Sequence, residues 1–308
     1  MLPILTKRIK ISYIDRRLKR KEKENMDHII DIEGLSYTYM KGTPYERLAL
    51  KDVNITVDSG DIVGIIGSTG SGKSTLVQHF NGLLKADSGK IVVDGIDLTQ
   101  KKLDLKDLRR KIGLVFQYPE YQLFEETVED DIAFAPRQFG FSEEEIKKSV
   151  DYAIKSMHLT EDMRKRSPFS LSGGEMRRTA IAGILAMNPS VLVLDEPTAG
   201  LDPFSKKELL NIISELNREK KVTVIIVSHS MEEVVEIADK IVVMANGKII
   251  SSGTSEEVFS DESVIKTARL LLPECTELMI ELKEAGLPVK YNLCKVEDCI
   301  KEIAKLFA

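Results

Sequence analysis

A glycine-rich loop near residue 70 constrains this chain more than any other stretch of its sequence. The loop follows an apolar run at residues 61–66 and precedes a segment of helical character at residues 75–80. Strand, glycine-rich loop and helix in this order are the context of a phosphate-binding P-loop, and they predict an α/β fold with a site for a nucleoside triphosphate. The loop consists of Gly67, Ser68, Thr69, Gly70, Ser71, Gly72, Lys73, Ser74 and Thr75.

The chemistry of phosphate binding explains these residue types. Glycines let the backbone turn with its N–H groups facing inward, and the helix that follows adds about half a positive charge at its N-terminus. Lys73 is predicted to reach the β- and γ-phosphates, and the Ser74 hydroxyl to bind Mg²⁺. The alternative, a glycine-rich turn without a ligand, does not account for the complete motif in this context.

Composition places the chain among soluble globular proteins. Its 308 residues allow one large domain with an appendage, and 43% hydrophobic and 30% charged residues are ordinary values. No run approaches the ~18 apolar residues of a membrane span. A net charge of −5 disfavours nucleic acid as the main partner.

The two ends of the sequence leave alternatives open. Residues 1–25 carry nine Lys or Arg against three Asp or Glu. They could form a basic arm on an anionic membrane surface, at about 1 kcal/mol per basic residue. We favour instead a dispensable or misassigned extension, with Met26 as the true start. Late in the chain, Cys275, Cys294 and Cys299 are expected to be reduced cytosolic thiols rather than a metal site.

Hydrophobic periodicity predicts two kinds of strand. Alternation between residues 29 and 57 predicts half-buried antiparallel strands, and Asp94-Gly95 and Asn246-Gly247 predict hairpin turns. Continuous apolar runs at residues 111–116, 191–194 and 222–227 predict parallel strands covered on both faces. Residues 141–187 and 254–306 are predicted to be mainly helical, with breaks at Pro273 and at residues 286–288.

Polar residues close the predicted parallel strands, where open α/β sheets bind their ligands. They are Gln117, Asp195 with Glu196, and His229. Asp195 is predicted to hold Mg²⁺. Glu196 is predicted to point the other way by strand alternation and to accept a proton from the attacking water, which typically contributes about 10²–10⁴-fold to a rate. The alternative is a solvated strand end.

Two further features are candidates for nucleotide contact. Tyr39 precedes a turn and could stack on a base, although Tyr37 or Tyr39 could equally be part of the core. In the segment Leu171, Ser172, Gly173, Gly174, Glu175, the serine and glutamate have the spacing of a helix capping box. The adjacent glycines also expose backbone N–H groups at a positive helix end, which is an anion site.

The motifs together resemble the nucleotide-binding domains of ABC transporters. They are residues 67–75, Gln117, residues 171–175, Asp195 and Glu196, residues 199–202, and His229. Residues 78–84 and 117–127 are similar to the ATPase subunits of energy-coupling factor importers for vitamins or for cobalt and nickel. The insertion at residues 42–47 is similar to the second of their two paralogous ATPases.

The resemblance implies an α/β P-loop NTPase fold of ABC type, with a mixed central sheet flanked by helices and an antiparallel β subdomain. The implied nucleotide-binding domain spans residues 26–253, with a helical subdomain at about residues 118–178. A small helical extension, residues 254–308, follows. Whether this extension strengthens a dimer or is a plain appendage is open.

The resemblance also implies how the chain works. Two ATPases, identical or paralogous, would bind ATP and Mg²⁺ between them, each site completed by Ser172, Gly173 and Gly174 of the facing subunit. Asp202 would link the sites, His229 would contact the γ-phosphate, and Gln117 would bind Mg²⁺ and relay closure. The expected location is the cytoplasmic face of the membrane, with a transmembrane coupling subunit and a substrate-binding membrane subunit as partners. A soluble ABC ATPase is the alternative.

The loop after Gln117 is a candidate surface for the membrane partner. Its predicted apolar surface consists of Pro119, Tyr121, Leu123 and Phe124, and its predicted acidic rim of Glu120, Glu125 and Glu126. This composition suits an arginine-bearing coupling helix. The alternative is an ordinary solvated loop.

Overall fold

The structure is a computed structural model that describes residues 28–100 and 103–307. The basic segment at residues 1–25 therefore lies outside the described residues. The described chain contains a four-stranded antiparallel sheet, a six-stranded mixed sheet and helices that cover both.

The antiparallel sheet has the strand order β2-β1-β4-β5. Its strands are β1 (His28–Tyr39), β2 (Arg47–Asp58), β4 (Ser88–Val93) and β5 (Ile96–Asp97). Side chains of β1 and β2 alternate between buried and more exposed positions, so the predicted half-buried antiparallel strands are confirmed. Val93 pairs with Ile96 across the predicted Asp94-Gly95 turn.

The larger sheet has the order β10-β9-β3-β8-β7-β6. Its strands are β3 (Ile62–Ile66), β6 (Ile112–Val115), β7 (Val191–Asp195), β8 (Thr223–Val227), β9 (Lys240–Ala245) and β10 (Lys248–Gly253). All pair in parallel except β10, which follows the Asn246-Gly247 turn and pairs antiparallel with β9. Every residue of β3, β7 and β8 is buried, which explains their uninterrupted apolar sequences.

Helices occupy the connections between the strands of this sheet. They are α1 (Lys73–Phe80), α2 (Leu105–Lys111), α3 (Val128–Gln138), α4 (Glu143–Ser156), α5 (Gly173–Leu185), α6 (Pro203–Lys220) and α7 (Met231–Ile237). Short 3₁₀ turns lie at Pro119–Gln122, Glu161–Met163 and Pro168–Ser170. The predicted helical segment thus contains α4 and α5, and α3 begins earlier, at a Thr127 side chain that caps its first turn.

Four helices follow β10. They are α8 (Ser255–Phe259), α9 (Glu262–Ala268), α10 (Glu274–Glu284) and α11 (Val296–Ala304), with a final 3₁₀ turn at Lys305–Phe307. The predicted breaks are confirmed, because Pro273 caps α10 and residues 286–288 follow its end. The three cysteines lie in this part of the chain as free thiols, and burial raises the pKa of Cys294 to about 11.

A smaller apolar core joins β9 and Ile66 to α7, α8 and α9, and two large cores hold the central sheet. One lies between this sheet and the antiparallel sheet, and includes Val63, Ile65 and Leu76. The other packs α3 to α6 against the opposite face, around Leu192 and Leu194. Burial on both faces fixes the strand ends, from which the loops described below project.

Candidate active site

A cavity of about 920 Å³ opens at the carboxyl edge of the parallel strands. The P-loop follows β3, and His229 follows β8. Asp195 is the last residue of β7, Glu196 comes directly after it, and Gln117 follows β6. All of them line the cavity. Strands β3, β8, β7 and β6 are consecutive neighbours in the sheet, although β4 and β5 separate β3 from the other three in the chain. The predicted convergence of the strand ends is therefore confirmed.

Close backbone packing accounts for the glycines of the P-loop. A Cβ at Gly67 would lie 2.2 Å from the carbonyl oxygen of Met244, and one at Gly72 would lie 2.9 Å from that of Ala49. Gly72 also has a φ of 107°, which side chains disfavour. The loop can take this shape only with glycine at these two positions.

Lys73, the first residue of α1, extends over the loop. Its Nζ atom donates hydrogen bonds to the carbonyl oxygens of Gly67, at 2.7 Å, and Ser68, at 3.2 Å. Burial lowers the pKa of this ammonium group, and the neighbouring Glu196 and Asp195 carboxylates oppose that effect. A triphosphate in the cavity would stabilise the charged form of Lys73 further, and the Lys73 ammonium group would bind the triphosphate.

Asp195 provides an oxygen for a hard cation. Its side chain is buried, and its Oδ1 atom has no hydrogen-bond partner among the described residues. Burial raises the pKa of Asp195, and the neighbouring Ser74 hydroxyl and Lys73 ammonium group oppose that rise. A buried, unsatisfied carboxylate oxygen beside a hydroxyl is a donor set that Mg²⁺ prefers, so these residues fit the predicted ion.

The direction of the Glu196 side chain differs from its sequence-based prediction. Strand alternation predicts that it points away from Asp195, yet both residues line the cavity. Glu196 has left the strand, with a φ of 52°, and its N–H donates to the Val227 carbonyl at 2.9 Å. The turn at this residue, rather than the pleat, sets its direction.

The carboxylate of Glu196 is placed to act as a base. Its Oε2 atom lies 2.7 Å from Nδ1 of His229. Burial raises the pKa of Glu196, while the interaction with His229 and the charge of Lys73 oppose this rise. A carboxylate with a raised pKa accepts a proton from water more readily, which is the property that general-base catalysis requires.

Tyr39 lies at the side of the cavity, with its hydroxyl 3.2 Å from Thr75 Oγ1. Arg47 lines the same wall because it pairs with Tyr39 across β1 and β2. Sequence reasoning missed Arg47, although counting back through the hairpin register would have found it. Arg269 and Leu271, beyond α9, also line the cavity, and no local pattern indicated them.

The second predicted phosphate-binding segment lies apart from the cavity. Ser172 caps α5 as predicted: its N–H donates to Glu175 Oε2 at 2.7 Å, and its Oγ accepts from the Glu175 N–H at 3.4 Å. Gly174 packs beside Ser205, whose hydroxyl donates to Asp202 at 2.6 Å. Ser172, Gly173 and Asp202 are exposed. One chain does not bring these residues to its own P-loop.

The loop after Gln117 differs in part from its prediction. Pro119 and Leu123 are buried, so they do not belong to the exposed apolar surface. Tyr121 and Phe124 are 84% and 57% exposed, and Phe134 of α3 packs edge-on against Phe124 with ring centroids 4.9 Å apart. The exposed aromatic side chains are Tyr121, whose ring centroid lies 5.9 Å from that of Tyr118, and the Phe124–Phe134 pair; together they are called the exposed aromatic patch.

Glu120 is not part of an acidic rim, because it binds Arg177. The guanidinium group of Arg177 donates to both carboxylate oxygens, at 2.6 and 2.8 Å, and also to the carbonyls of Pro197 and Ala199. Arg177 is only 1% exposed. It joins α5, the loop after Gln117 and the loop after Glu196, a role that its sequence context did not indicate.

Replacing Arg177 with Met should lower stability by about 3–5 kcal/mol, because the Glu120 carboxylate, whose side chain is only 14% exposed, would lose its partner. Chemical denaturation measures this loss. The double variant Arg177→Met with Glu120→Gln should recover part of it, since no buried charge remains unpaired. A double variant less stable than Arg177→Met alone would contradict this explanation.

Comparison with known proteins decides the family. Residues 50–199 match the family model "ABC transporter". The chain is 51% identical over 276 residues to the energy-coupling factor transporter ATP-binding protein EcfA2 of Caldanaerobacter subterraneus subsp. tengcongensis, covering 90% of this chain and 96% of that protein. The chain belongs to the energy-coupling factor ATPases.

Solved structures agree with this assignment. The structure of CbiO1 from Clostridium perfringens, part of the ABC transporter complex CbiONQ, matches with a TM-score of 0.71 and 40% identity, over 82% of this chain and 99% of that one. A dimeric ATP-binding cassette in a post-hydrolysis state, bound to ADP and Pi, matches with a TM-score of 0.64 and 30% identity, over 73% of this chain and 98% of that one. The predicted ABC-type fold is confirmed. As an energy-coupling factor ATPase, the chain binds and hydrolyses ATP.

Proposed function

We propose that this ATPase powers a membrane importer of the energy-coupling factor type, which takes up vitamins or transition-metal ions such as cobalt or nickel. Its relatives named as energy-coupling factor transporter ATP-binding proteins support this role. None of the helices in the described part of the chain is both long and apolar enough to cross a bilayer. The proposed location, which rests on these relatives, is peripheral, on the cytoplasmic face of the membrane beside transmembrane subunits.

The observation that carries the proposal is the separation of the two phosphate-binding segments. The cavity contains the P-loop, Asp195 and Glu196, whereas residues 172–175 do not line it and lie on another part of the surface, where Ser172 and Gly173 are exposed. In the proposed dimer, Ser172, Gly173 and Gly174 of one subunit face the γ-phosphate bound by the other. A relative that is dimeric when bound to ADP and Pi supports a dimer. The second subunit is another copy or a paralogous ATPase.

Each residue of the cavity then has a proposed role. The P-loop N–H groups and Lys73 bind the triphosphate, and the Tyr39 ring stacks on adenine. Glu196 accepts a proton from the water that attacks the γ-phosphate, and His229 orients the Glu196 carboxylate and contacts the same phosphate. Ser74, Asp195 and Gln117 would hold Mg²⁺, which supplies charge neutralisation at the phosphate oxygens. Asp202, which caps α6 beside Gly174, would link the two sites across the dimer.

The exposed aromatic patch is the proposed contact for the membrane partner. Tyr121 and Phe124 project from the loop that begins at Gln117, a residue of the cavity wall. Glu125 and Glu126 lie beside Phe124 and give the patch a negative edge. Acidic and aromatic residues together suit a basic, partly apolar helix of the partner.

Reversing both charges with Glu125→Lys and Glu126→Lys should weaken assembly with the transmembrane subunit by about tenfold or more, since like charges would meet its arginines. The affinity for ATP should not change. Pull-down of the membrane subunit and equilibrium ATP binding are the two measurements. As a matched control, Glu277→Lys with Glu284→Lys reverses two exposed glutamates on α10 and should affect neither. Lost ATP binding with intact assembly would refute the assignment of this surface.

Affinity purification of the tagged chain from native membranes tests the proposed function directly. A multi-helix membrane subunit and a second ATPase should accompany it, and mass spectrometry identifies both. Recovery from the soluble fraction without any membrane protein would favour a soluble ABC ATPase instead.

A further inference from the structure

A fully buried histidine lies behind the wall of the nucleotide cavity. His79, in the last turn of α1, has 0% exposure. Its Nδ1 atom lies 2.7 Å from the carbonyl oxygen of Thr75. A carbonyl can only accept a hydrogen bond, so Nδ1 carries the proton. Burial lowers the pKa of His79, which keeps the ring neutral.

This protonation state leaves the second ring nitrogen with a buried lone pair. Nε2 of His79 has no hydrogen-bond partner in the part of the chain that the structure describes. An apolar side chain would avoid the cost of this unsatisfied atom. Core packing alone therefore does not explain the contacts that the His79 ring makes.

Those contacts lead through Tyr37 to Tyr39. The Tyr37 ring meets His79 nearly edge to face, with centroids 5.0 Å apart and planes at 76°. Tyr37 meets Tyr39 in the same way, at 4.9 Å and 86°. Edge-to-face packing places the positive edge of one ring on the negative face of the next, which fixes their relative orientation.

These contacts form a closed cycle that includes a residue of the P-loop. The Tyr39 hydroxyl lies 3.2 Å from Thr75 Oγ1, and the Thr75 carbonyl accepts the hydrogen bond from His79. Tyr39, Tyr37, His79 and Thr75 thus form a closed cycle between β1 and α1. Only Tyr39 and Thr75 line the cavity.

We propose that Tyr37 and His79 are positioning residues that hold the Tyr39 ring in the orientation in which it stacks on the base of ATP. The proposal rests on the base contact assigned to Tyr39 above. Neither Tyr37 nor His79 touches the nucleotide, so they act only through Tyr39. They set the affinity for the base and leave the phosphate site unchanged.

Calorimetric titration of the full-length chain with ATP, and separately with inorganic tripolyphosphate, tests this proposal. Tripolyphosphate occupies the P-loop but has no base. Tyr37→Leu and His79→Leu should each raise the Kd for ATP about threefold to tenfold, the value of one aromatic contact, and leave the Kd for tripolyphosphate unchanged. Tyr37→Phe, which keeps the ring, should bind ATP like the wild type. Tyr291→Leu, in the C-terminal extension, is the control for loss of an aromatic side chain elsewhere.

Tyr39→Ala separates the two ways in which the inference can fail. If Tyr39→Ala weakens ATP binding but Tyr37→Leu and His79→Leu do not, the positioning role is wrong and the base contact stands. If Tyr39→Ala has no effect on ATP binding, the base contact itself is wrong. Equal weakening of ATP and tripolyphosphate by Tyr37→Leu would show a general structural role and overturn the proposal. Tyr37 is only partly buried, so Tyr37→Leu still decides the question if His79→Leu fails to fold.

Discussion

Glu196→Gln is expected to lower the rate of ATP hydrolysis by about 10²–10⁴-fold while ATP still binds. Glutamine keeps the size of the side chain and can hydrogen-bond to His229, but it cannot accept the proton of the attacking water. The measurements are phosphate release and equilibrium ATP binding. Particle mass adds a third test, because ATP that cannot be hydrolysed should hold the proposed dimer together.

A matched variant shows whether the effect belongs to the site. Glu236→Gln removes a carboxylate from an exposed position on α7, and its turnover should equal that of the wild type. Glu196→Gln with undiminished turnover would rule out Glu196 as the base. Glu196→Gln that stays monomeric with ATP would contradict the shared site.

Asp195→Asn should abolish the gain in ATP affinity that Mg²⁺ provides, without reducing the stability of the free protein. A carboxylate near a divalent cation contributes on the order of several kcal/mol to the binding of that cation. We therefore expect the Mg²⁺-dependent gain in ATP affinity to fall by at least about tenfold. Titration of ATP with and without Mg²⁺ measures this gain. ATP binding without Mg²⁺ should persist, because the P-loop is intact.

The pKa of Asp195 gives the control for this experiment. Burial raises it above its unfolded value, so ionisation of Asp195 opposes folding at neutral pH. Asn, which carries no charge, removes that penalty, and the melting temperature of the free variant should equal or exceed that of the wild type. A variant that melts lower would indicate structural damage, and unaltered Mg²⁺ dependence would refute the assignment of Asp195.

Sequence reasoning succeeded for structural features that depend on a few neighbouring residues. The P-loop, the Asp94-Gly95 and Asn246-Gly247 turns and the Ser172–Glu175 capping box are local, and the structure contains all of them. The parallel strands were also predictable, because strands covered on both faces need continuous apolar sequence.

Sequence reasoning failed for features that depend on contacts between residues far apart in the chain. Glu196 turns toward Asp195 because its backbone bonds to Val227 beyond the end of β7, and no alternation pattern contains that bond. The sequence predicts Glu120 in an acidic rim, yet Arg177, far along the chain, binds it. The wall contributed by Arg269 depends on how the C-terminal helices fold back against the cavity.

Adjacent residues alone predict the chemical groups of this protein: a P-loop, a strand-end carboxylate pair and a capped glycine segment. Which of these groups share one cavity depends on how distant parts of the chain pack together. Strand order in the sheet joins the P-loop, Gln117, Asp195 and His229, and it leaves residues 172–175 on another part of the surface. The physical reason is that local conformation follows from the sterics and hydrogen bonds of neighbouring residues, whereas proximity across the fold follows from the packing of whole strands and helices.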